Sequence, residues 1–186
     1  HWYQSQRTKE FLMTKKLDNE IAYLCDYVTE LFFDNLPETF SKENIITYNP
    51  KKGLDKIQNY ITLLPQYKWI PLTGMSREEM RDTLRKAKLH IDFGYFPGRD
   101  KIPREALISG VCLLTGREGT SAYKEDLGIP EKYKLHENEI TSDKILELIN
   151  YTMNNYDSVF DEFKDFRTFV INEKKNMIEN AKKLFN

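Results

Sequence analysis

A chain of 186 residues is long enough for one sizeable domain, with or without short appendages. Hydrophobic residues make up 40% of it and aromatic residues 13%, which excludes a disordered chain. The 28 Lys and Arg residues are balanced by 29 Asp and Glu residues, so no basic excess predicts binding to nucleic acid.

Two further features bear on the cellular compartment. Cys25 and Cys112 lie in apolar, strand-like surroundings, which is typical of proteins from a reducing compartment. No apolar run approaches the roughly 20 residues of a membrane-spanning helix, so we expect no transmembrane segment. The chain starts at His1 in the middle of a pattern, and we expect it to be a fragment of a longer protein.

In chain order, residues 1–16 are predicted to form an amphipathic helix that belongs partly to whatever precedes it. Residues 20–26 are a candidate for an additional strand. Four stronger strand signals follow, each a short apolar run closed by a loop rich in Gly, Pro or charge. These runs are residues 44–50, 67–72, 89–93 and 110–115.

Helical patterns separate these strands. Apolar residues recur at helical spacing over 54–64, Ser76 and Glu79 form a capping box, and Pro103 suits the first turn of a helix that Gly110 ends. Strands that alternate with helices, and that are almost continuously hydrophobic, predict an α/β fold. We therefore predict a Rossmann-like parallel sheet flanked by helices.

The composition changes after the segment "GIPEKYKL". Residues 141–155 are predicted to be a helix, and a long C-terminal helix is expected beyond it. The chain thus divides into a linker over 1–16, a Rossmann-like domain over 17–156 and a C-terminal helix over 157–186.

The loops after the strands are the natural place for a site, because ligands of open parallel sheets bind beyond the carboxyl ends of the strands. Three of these loops carry Gly for close backbone approach, the amino terminus of a helix, and Lys or Arg, which favour an anionic, phosphate-bearing ligand. The candidate binding residues are Asn49, Lys51, Lys52, Gly98, Arg99, Asp100, Arg104, Glu105, Gly116, Arg117, Gly119 and Thr120.

Simpler explanations exist for these charges. Lys51 and Lys52 could belong to an ordinary solvated loop, and Arg99 could pair with Asp100 at the surface for about 0–1 kcal/mol. Glu105, in the first turn of its predicted helix, would complement the helix dipole by roughly 0.3–1 kcal/mol. Since Ile102 is a poor capping residue, the first amides of that helix are expected to be free for a ligand, unless Asp100 caps them.

Other chemistries have little support. The chain contains no G-x-G-x-x-G after a strand, no phosphate-binding G-x-x-x-x-G-K-[ST] and no G-x-S-x-G elbow. His1, His90 and His136 form no metal-ligand spacing with the cysteines. His90 is predicted to be a packed core histidine, and Asp92 to accept a hydrogen bond from a neighbouring turn.

Three stretches together resemble a known family. They are "IITYNPKKG" (45–53), "WIPLTGMSREEMRDTLRKAKLHIDFG" (69–94) and "PREALISGVCLLTGREGTSAYKED" (103–126). Their order resembles the C-terminal, nucleotide-sugar-binding half of GT-B glycosyltransferases, in particular the retaining, family-4-like enzymes that build bacterial capsules and other surface polysaccharides. The resemblance covers residues 17 to about 156, and residues 1–12 and 22–33 look like the join to an N-terminal domain.

The resemblance implies roles for several residues. Glu105 matches the second carboxylate of the family's E-x7-E motif, which binds the ribose hydroxyls, and Lys52, with Lys51, matches the residues that bind the diphosphate. Residues 116–121 match the loop around the sugar and phosphates. The chain departs from the motif at Pro97, where the first Glu would stand. Glu105 and Lys52 are expected to assist the donor and its leaving group, and no catalytic residue is assigned.

The function implied is donor binding in a glycosyltransferase that transfers a sugar from a nucleotide-sugar to a growing capsule or lipopolysaccharide acceptor, saccharide or lipid-linked. Such an enzyme is expected to need no metal or other cofactor and to work in the cytoplasm, at the inner face of the cell membrane. Without its N-terminal GT-B domain the fragment is expected to be inactive. Two alternatives are a sugar-nucleotide epimerase of the same fold and a non-catalytic interaction module, which the Pro97 departure favours.

Overall fold

A computed structural model of the chain describes residues 1–15, 17, 19–140 and 142–185. The chain begins with a small parallel sheet of two strands, β1 (Trp2–Tyr3) and β2 (Ala22–Tyr23), with helix α1 (Gln6–Met13) between them. The strand predicted within residues 20–26 therefore exists, but it is two residues long and lies outside the central sheet. The helix predicted for residues 1–16 is shorter than expected, and Lys16 falls outside the described residues.

Five parallel strands form the central sheet, in the order β4-β3-β5-β6-β7. They are β3 (Ile45–Tyr48), β4 (Lys68–Pro71), β5 (Leu89–Asp92), β6 (Cys112–Gly116) and β7 (Lys134–Leu135). The four strong strand predictions are confirmed. The fifth strand was not predicted, because a two-residue strand carries no apolar run of its own.

Helices follow the strands and flank the sheet, so the predicted Rossmann-like α/β fold is confirmed. The helices that follow strands of this sheet are α2 (Leu54–Leu63), α3 (Arg77–Lys86), α4 (Lys101–Ile108) and α5 (Ser142–Asn154). Short 3-10 turns lie at Glu30–Phe32, Thr120–Ala122, Glu131–Tyr133 and Glu137–Glu139. The helix predicted over 141–155 is α5, although its first predicted residue, Thr141, is not among the described residues.

Helix α4 begins earlier than its sequence suggested. It starts at Lys101, so Pro103 is its third residue rather than its first. A proline is tolerated there because the first four amides of a helix have no carbonyl partner inside it. The early start moves Glu105 out of the first turn, where no acidic residue is found.

The long C-terminal helix runs as three successive segments: α6 (Tyr156–Glu162), α7 (Lys164–Ile171) and α8 (Glu173–Phe185). The interruptions are the single residues Phe163 and Asn172, both with φ close to −90° and ψ close to zero. Phe163 and Phe166 are buried in the core, so α7 is held against the main domain. None of the helices in the described ranges is long and apolar enough to cross a membrane.

Strands β5 and β6 form the centre of the core. Every residue of both strands is buried, since helices cover both faces of the sheet. The two strands end at Asp92 and Gly116. The loops that follow them, 93–100 and 117–121, leave the sheet at the same edge.

Candidate functional site

The loop after β3 packs directly against the loop after β5. Gly53 has a φ of 71°, and a Cβ at this position would lie 2.9 Å from the carbonyl carbon of Phe93. A Cβ on Gly94 would overlap the side chain of Lys52. Only glycine fits at both places, so these glycines bring Lys52 against the end of β5.

The loop after β5 is joined in turn to the loop after β6. The Phe96 amide donates to the Glu118 carbonyl at 3.2 Å, and the Thr120 amide donates to the Phe96 carbonyl at 2.9 Å. The Thr120 hydroxyl donates to the Gly98 carbonyl at 2.6 Å. Gly119, with a φ of 72°, allows this approach, since a Cβ there would overlap the Phe96 carbonyl oxygen. The three predicted loops therefore form one continuous edge.

Lys52 and Asp100 form an ion pair at this edge. The Lys52 ammonium also lies 5.0 Å from the centroid of the Phe96 ring. Asp100 is the N-cap residue of α4, but its side chain makes no capping hydrogen bond. The prediction that no side chain caps the first turn of α4 is confirmed, and the alternative that Asp100 caps it is wrong.

Glu105 is fully buried in the second turn of α4. Its Oε1 accepts a hydrogen bond from the guanidinium of Arg77, at the start of α3. Its Oε2 is buried and has no hydrogen-bond partner in the part of the chain that the structure describes. The interpretation of Glu105 as a first-turn residue that complements the helix dipole is wrong, because the helix begins at Lys101.

The guanidinium groups of Arg99 and Arg104 meet Glu173, the first residue of α8, and Arg104 Nε also donates to the Asp100 carbonyl at 3.3 Å. Both guanidinium groups donate to the buried Glu173 carboxylate, Arg104 through Nη1 at 2.7 Å. Arg104 Nη2 also donates to Asp26 at 2.9 Å. Burial alone would lower the pKa of Arg104, but the charges of Glu173 and Asp26 outweigh it and raise the pKa. The proposed surface pair of Arg99 with Asp100 is wrong, since each has another partner.

Arg117 follows β6 and extends along β7. Its Nε donates to the Lys134 carbonyl at 2.9 Å, and its Nη2 meets the Glu131 carboxylate at 2.6 Å. Its charge is therefore neutralised by a carboxylate that neither Lys52 nor Arg104 contacts. The loops meet at one edge as predicted, but their cations are distributed among separate carboxylates.

The remaining candidates differ in exposure: Lys51 is exposed, Asn49 and Gly98 are partly buried, and Gly116 is buried at the end of β6. The Lys51 amide donates to Asn49 Oδ1 at 3.0 Å. Gly98 has nothing within 4 Å of the position a Cβ would take, so it borders open space. At Gly116 that position is 3.6 Å from Phe93, an ordinary contact distance.

Two predictions about β5 are confirmed. His90 is fully buried, its Nδ1 lies 3.1 Å from the Thr47 hydroxyl, and burial lowers its pKa to about 4, so it is a neutral core histidine. Asp92 Oδ1 accepts a hydrogen bond from the Gly94 amide at 3.0 Å. Burial raises the pKa of Asp92 to about 6, against the opposing effects of that amide and of Lys52.

Sequence reasoning missed Arg77, Asp26 and Glu173. Arg77 carries one local signal, since a cation in the first turn of a helix is unfavourable to the helix dipole. Asp26 and Glu173 carry none, because their partners are 78 and 69 residues away in the chain. Within the described ranges, no three His, Cys, Asp or Glu side chains are grouped to hold a metal ion.

Comparisons with known proteins support the fold. The sequence matches no protein-family model and no curated protein. A crystal structure of a mutant of S. aureus TarM, in complex with Fondaparinux, alpha-GlcNAc-glycerol and UDP, is similar over 100% of this chain and 43% of that one, with 20% identity and a TM-score of 0.66. A second crystal structure of TarM matches the same shares of the two chains, with 16% identity and a TM-score of 0.67.

The chain thus spans less than half the length of these structural neighbours. At this identity the likeness concerns the fold alone, which is the Rossmann-like α/β fold with its parallel sheet.

Proposed function

We propose that the chain is the donor-binding part of a glycosyltransferase, and that a nucleoside-diphosphate sugar binds along the carboxyl edge of the central sheet. The observation that carries this proposal is the Glu105 carboxylate, which is buried beside the loop edge with one oxygen unsatisfied. The resemblance of the sequence to the donor-binding half of family-4-like enzymes gives the same residue the same role. The UDP bound in the TarM complex supports a nucleoside diphosphate as the ligand class.

Glu105 is suited to bind the ribose. A buried acceptor without a donor costs roughly 1–3 kcal/mol, and a ligand hydroxyl at Oε2 would recover that energy. Charge-assisted hydrogen bonds of this kind are also stronger than neutral ones. The ribose hydroxyls of a nucleotide are donors of the required type.

Lys52 and the start of α4 are suited to bind the diphosphate. The amides of the first turn of α4 have no side-chain cap, and a helix N-terminus favours an anion. Lys52 lies beside this turn through its pair with Asp100, the N-cap residue. A phosphate oxygen would replace the Asp100 carboxylate as the partner of Lys52.

In the complete enzyme these groups would stabilise the leaving group. As the glycosidic bond breaks, negative charge develops on the diphosphate, and a fixed cation and fixed helix amides stabilise it without reorganisation. The donor sugar would lie by the open space at Gly98, next to Pro97, and would lack the usual contact to a first motif carboxylate. The acceptor, a surface polysaccharide in such enzymes, would be bound with the help of the N-terminal domain.

One observation favours a second candidate, the non-catalytic interaction module. Arg99, Arg104 and Arg117 are each paired with a carboxylate of the chain itself. Arg104 and Glu105 are buried and do not line an open cleft. A domain that has lost its ligand would show this arrangement. An epimerase would share the nucleotide site, and only turnover by a full-length protein would separate it from a transferase.

A ligand screen tests the proposal. The melting temperature of the 186-residue chain is measured with UDP, GDP, ADP and their glucose conjugates, because a ligand that binds only the folded state stabilises it. We expect at least one nucleoside diphosphate to raise it, and Glu105→Gln to weaken that ligand's affinity about tenfold in calorimetry. Glu147→Gln, the same change at an exposed position of α5, should leave the affinity unchanged. If none of these nucleotides binds, the interaction module becomes the better explanation.

A further inference from the structure

Arg77 occupies a position that helix stability does not explain. A capping box fixes the start of α3, with the Ser76 hydroxyl accepting from the Glu79 amide and the Glu79 carboxylate accepting from the Ser76 amide. Arg77 is therefore the first helical residue. A cation there opposes the helix dipole, so its benefit must come from another contact.

Three contacts hold the Arg77 guanidinium. Nη2 donates to Glu105 Oε1, Cζ lies 4.9 Å from the centroid of the buried Phe32 ring, and Nη1 lies 3.7 Å from Met80 Sδ. A planar guanidinium that is stacked on a ring and bonded at one edge has a fixed direction. Arg77 is thus presented rigidly to the carboxylate.

The two partners differ in exposure. The Glu105 side chain is fully buried, whereas 44% of the Arg77 side chain is exposed. Among the described residues, Arg77 is the one ion-pair partner of Glu105. Because burying a carboxylate without a countercharge is costly, the pair with Arg77 lowers the cost of placing Glu105 inside the protein at the edge of the sheet.

The two carboxylate oxygens of Glu105 differ in their hydrogen bonds. Arg77 occupies Oε1 and leaves Oε2 without a donor. A carboxylate that is held at one oxygen cannot rotate freely, so the direction of its free oxygen is set by the bond to the other. The orphaned oxygen and the stacked arginine are independent observations that indicate the same arrangement.

We propose that Arg77 is a positioning residue for ribose recognition, which orients Glu105 so that Oε2 accepts a hydrogen bond from a ribose hydroxyl. This inference rests on the proposed function, because it assigns Arg77 to the same nucleotide site. The simpler alternative is that the Arg77–Glu105 pair only ties α3 to α4. The positioning role predicts that loss of Arg77 weakens only ligands that carry ribose hydroxyls. A purely structural tie predicts no such difference between ligands with and without these hydroxyls.

The test compares UDP with 2′,3′-dideoxy-UDP by calorimetry on the 186-residue chain, with GDP or ADP and their dideoxy forms substituted if one of those is the better ligand. The wild type should bind the ribonucleotide about tenfold or more tightly than the dideoxy form. Arg77→Met should reduce the affinity for the ribonucleotide to that for the dideoxy form and leave the latter unchanged. Arg77→Lys, which keeps the charge, should restore part of the discrimination.

Arg77→Gln serves as a second variant if Arg77→Met does not fold, because its amide can still donate to Oε1 without a charge. Its preference for the ribonucleotide over the dideoxy form should be weaker than that of the wild type, while its affinity for the dideoxy form should be unchanged. The positioning role would be overturned if the folded variants preferred the ribonucleotide over its dideoxy form as strongly as the wild type does. An equal loss of affinity for both ligands would overturn it too. In both cases the proposed nucleotide site would remain. If the wild type binds none of these nucleotides, both the proposed function and the positioning role of Arg77 are overturned.

Discussion

Lys52 and Asp100 lie 48 residues apart in the chain and form an ion pair where two strand ends meet. Lys52 comes from the loop after β3, and Asp100 is the residue from which α4 starts. Both side chains are about three-quarters buried, and the Lys52 ammonium lies over the Phe96 ring. The residue proposed to bind a diphosphate is thus already occupied by an anion of the protein itself.

This pairing predicts opposite effects for its two members. Asp100→Asn removes the anion that competes for Lys52, and asparagine is an equally good N-cap residue, so affinity for UDP should rise several-fold in calorimetry. Lys52→Met should lower it about tenfold, because a charge-assisted bond is lost. Lys68→Met, a change at the exposed first residue of β4 and so at the opposite end of the sheet, should have little effect. If Asp100→Asn weakened binding as Lys52→Met does, Asp100 would be part of the binding site and not a competitor.

Glu173 is predicted to be important for stability. It is buried between Arg99 and Arg104, so Glu173→Gln leaves two buried guanidinium groups without their shared countercharge. Loss of one partner from a buried ion pair costs about 3–5 kcal/mol. Urea denaturation should show a loss of unfolding free energy of this size, and none for Glu179→Gln, an exposed position of the same helix. A loss below about 1 kcal/mol would mean that water enters the cluster and replaces the carboxylate.

Asp92 gives a prediction for pH dependence. Burial raises its pKa from 3.8 to about 6, so between these values the folded state binds a proton that the unfolded state has released. The unfolding free energy contributed by Asp92 therefore falls as the pH rises through this range. The full shift corresponds to about 3 kcal/mol at 1.36 kcal/mol per pKa unit.

Asp92→Asn removes this titration and keeps an acceptor for the Gly94 amide. Its stability relative to the wild type should therefore increase between pH 4 and pH 7, by up to about 3 kcal/mol in urea denaturation. Asp161→Asn, an exposed change, should show no such trend. A difference between Asp92→Asn and the wild type that is constant with pH would contradict the buried, titrating carboxylate.

The fold could be predicted from the sequence where the sequence pattern was local. The apolar runs of β3 to β6 and the capping box at Ser76 depend on residues a few positions apart, and all of them are confirmed. The sequence suggested a start of α4 near Pro103, because proline suits the first turn of a helix. The structure begins that helix two residues earlier, at Lys101, directly after Asp100, whose residue type is preferred at the N-cap.

The site was predicted less completely, because its charges depend on contacts that are distant in the chain. The meeting of three loops follows from the parallel sheet, and it is confirmed by the contacts at Gly94 and Gly119. The parallel sheet does not reveal which carboxylate pairs with each Lys or Arg side chain. Arg104 is bonded to Asp26 and Arg77 to Glu105, over separations of 78 and 28 residues, so only the folded structure reveals them.

Gly98 and Gly119 lie on adjoining loops and provide a matched pair of substitutions. At Gly119 the φ is 72° and a Cβ would overlap the Phe96 carbonyl oxygen, whereas at Gly98 a Cβ would enter open space. Gly119→Ala should lower the unfolding free energy by about 3 kcal/mol or more, because the backbone is strained and the two loops must separate. Gly98→Ala should leave it unchanged within about 0.5 kcal/mol, because Gly98 is only partly buried and the added methyl group meets no other atom.

The two glycine variants should also differ in ligand binding. Separation of the loops moves Thr120, whose hydroxyl donates to the Gly98 carbonyl, away from the loop that leads into α4. Gly119→Ala should therefore weaken UDP binding even where the variant is fully folded. Gly98→Ala should bind UDP as the wild type does but bind UDP-glucose less tightly, because its methyl group enters the space assigned to the sugar. Calorimetry with both ligands, at a temperature where both variants are folded, measures this. Equal affinity of Gly98→Ala and the wild type for UDP-glucose would place the sugar elsewhere along the edge.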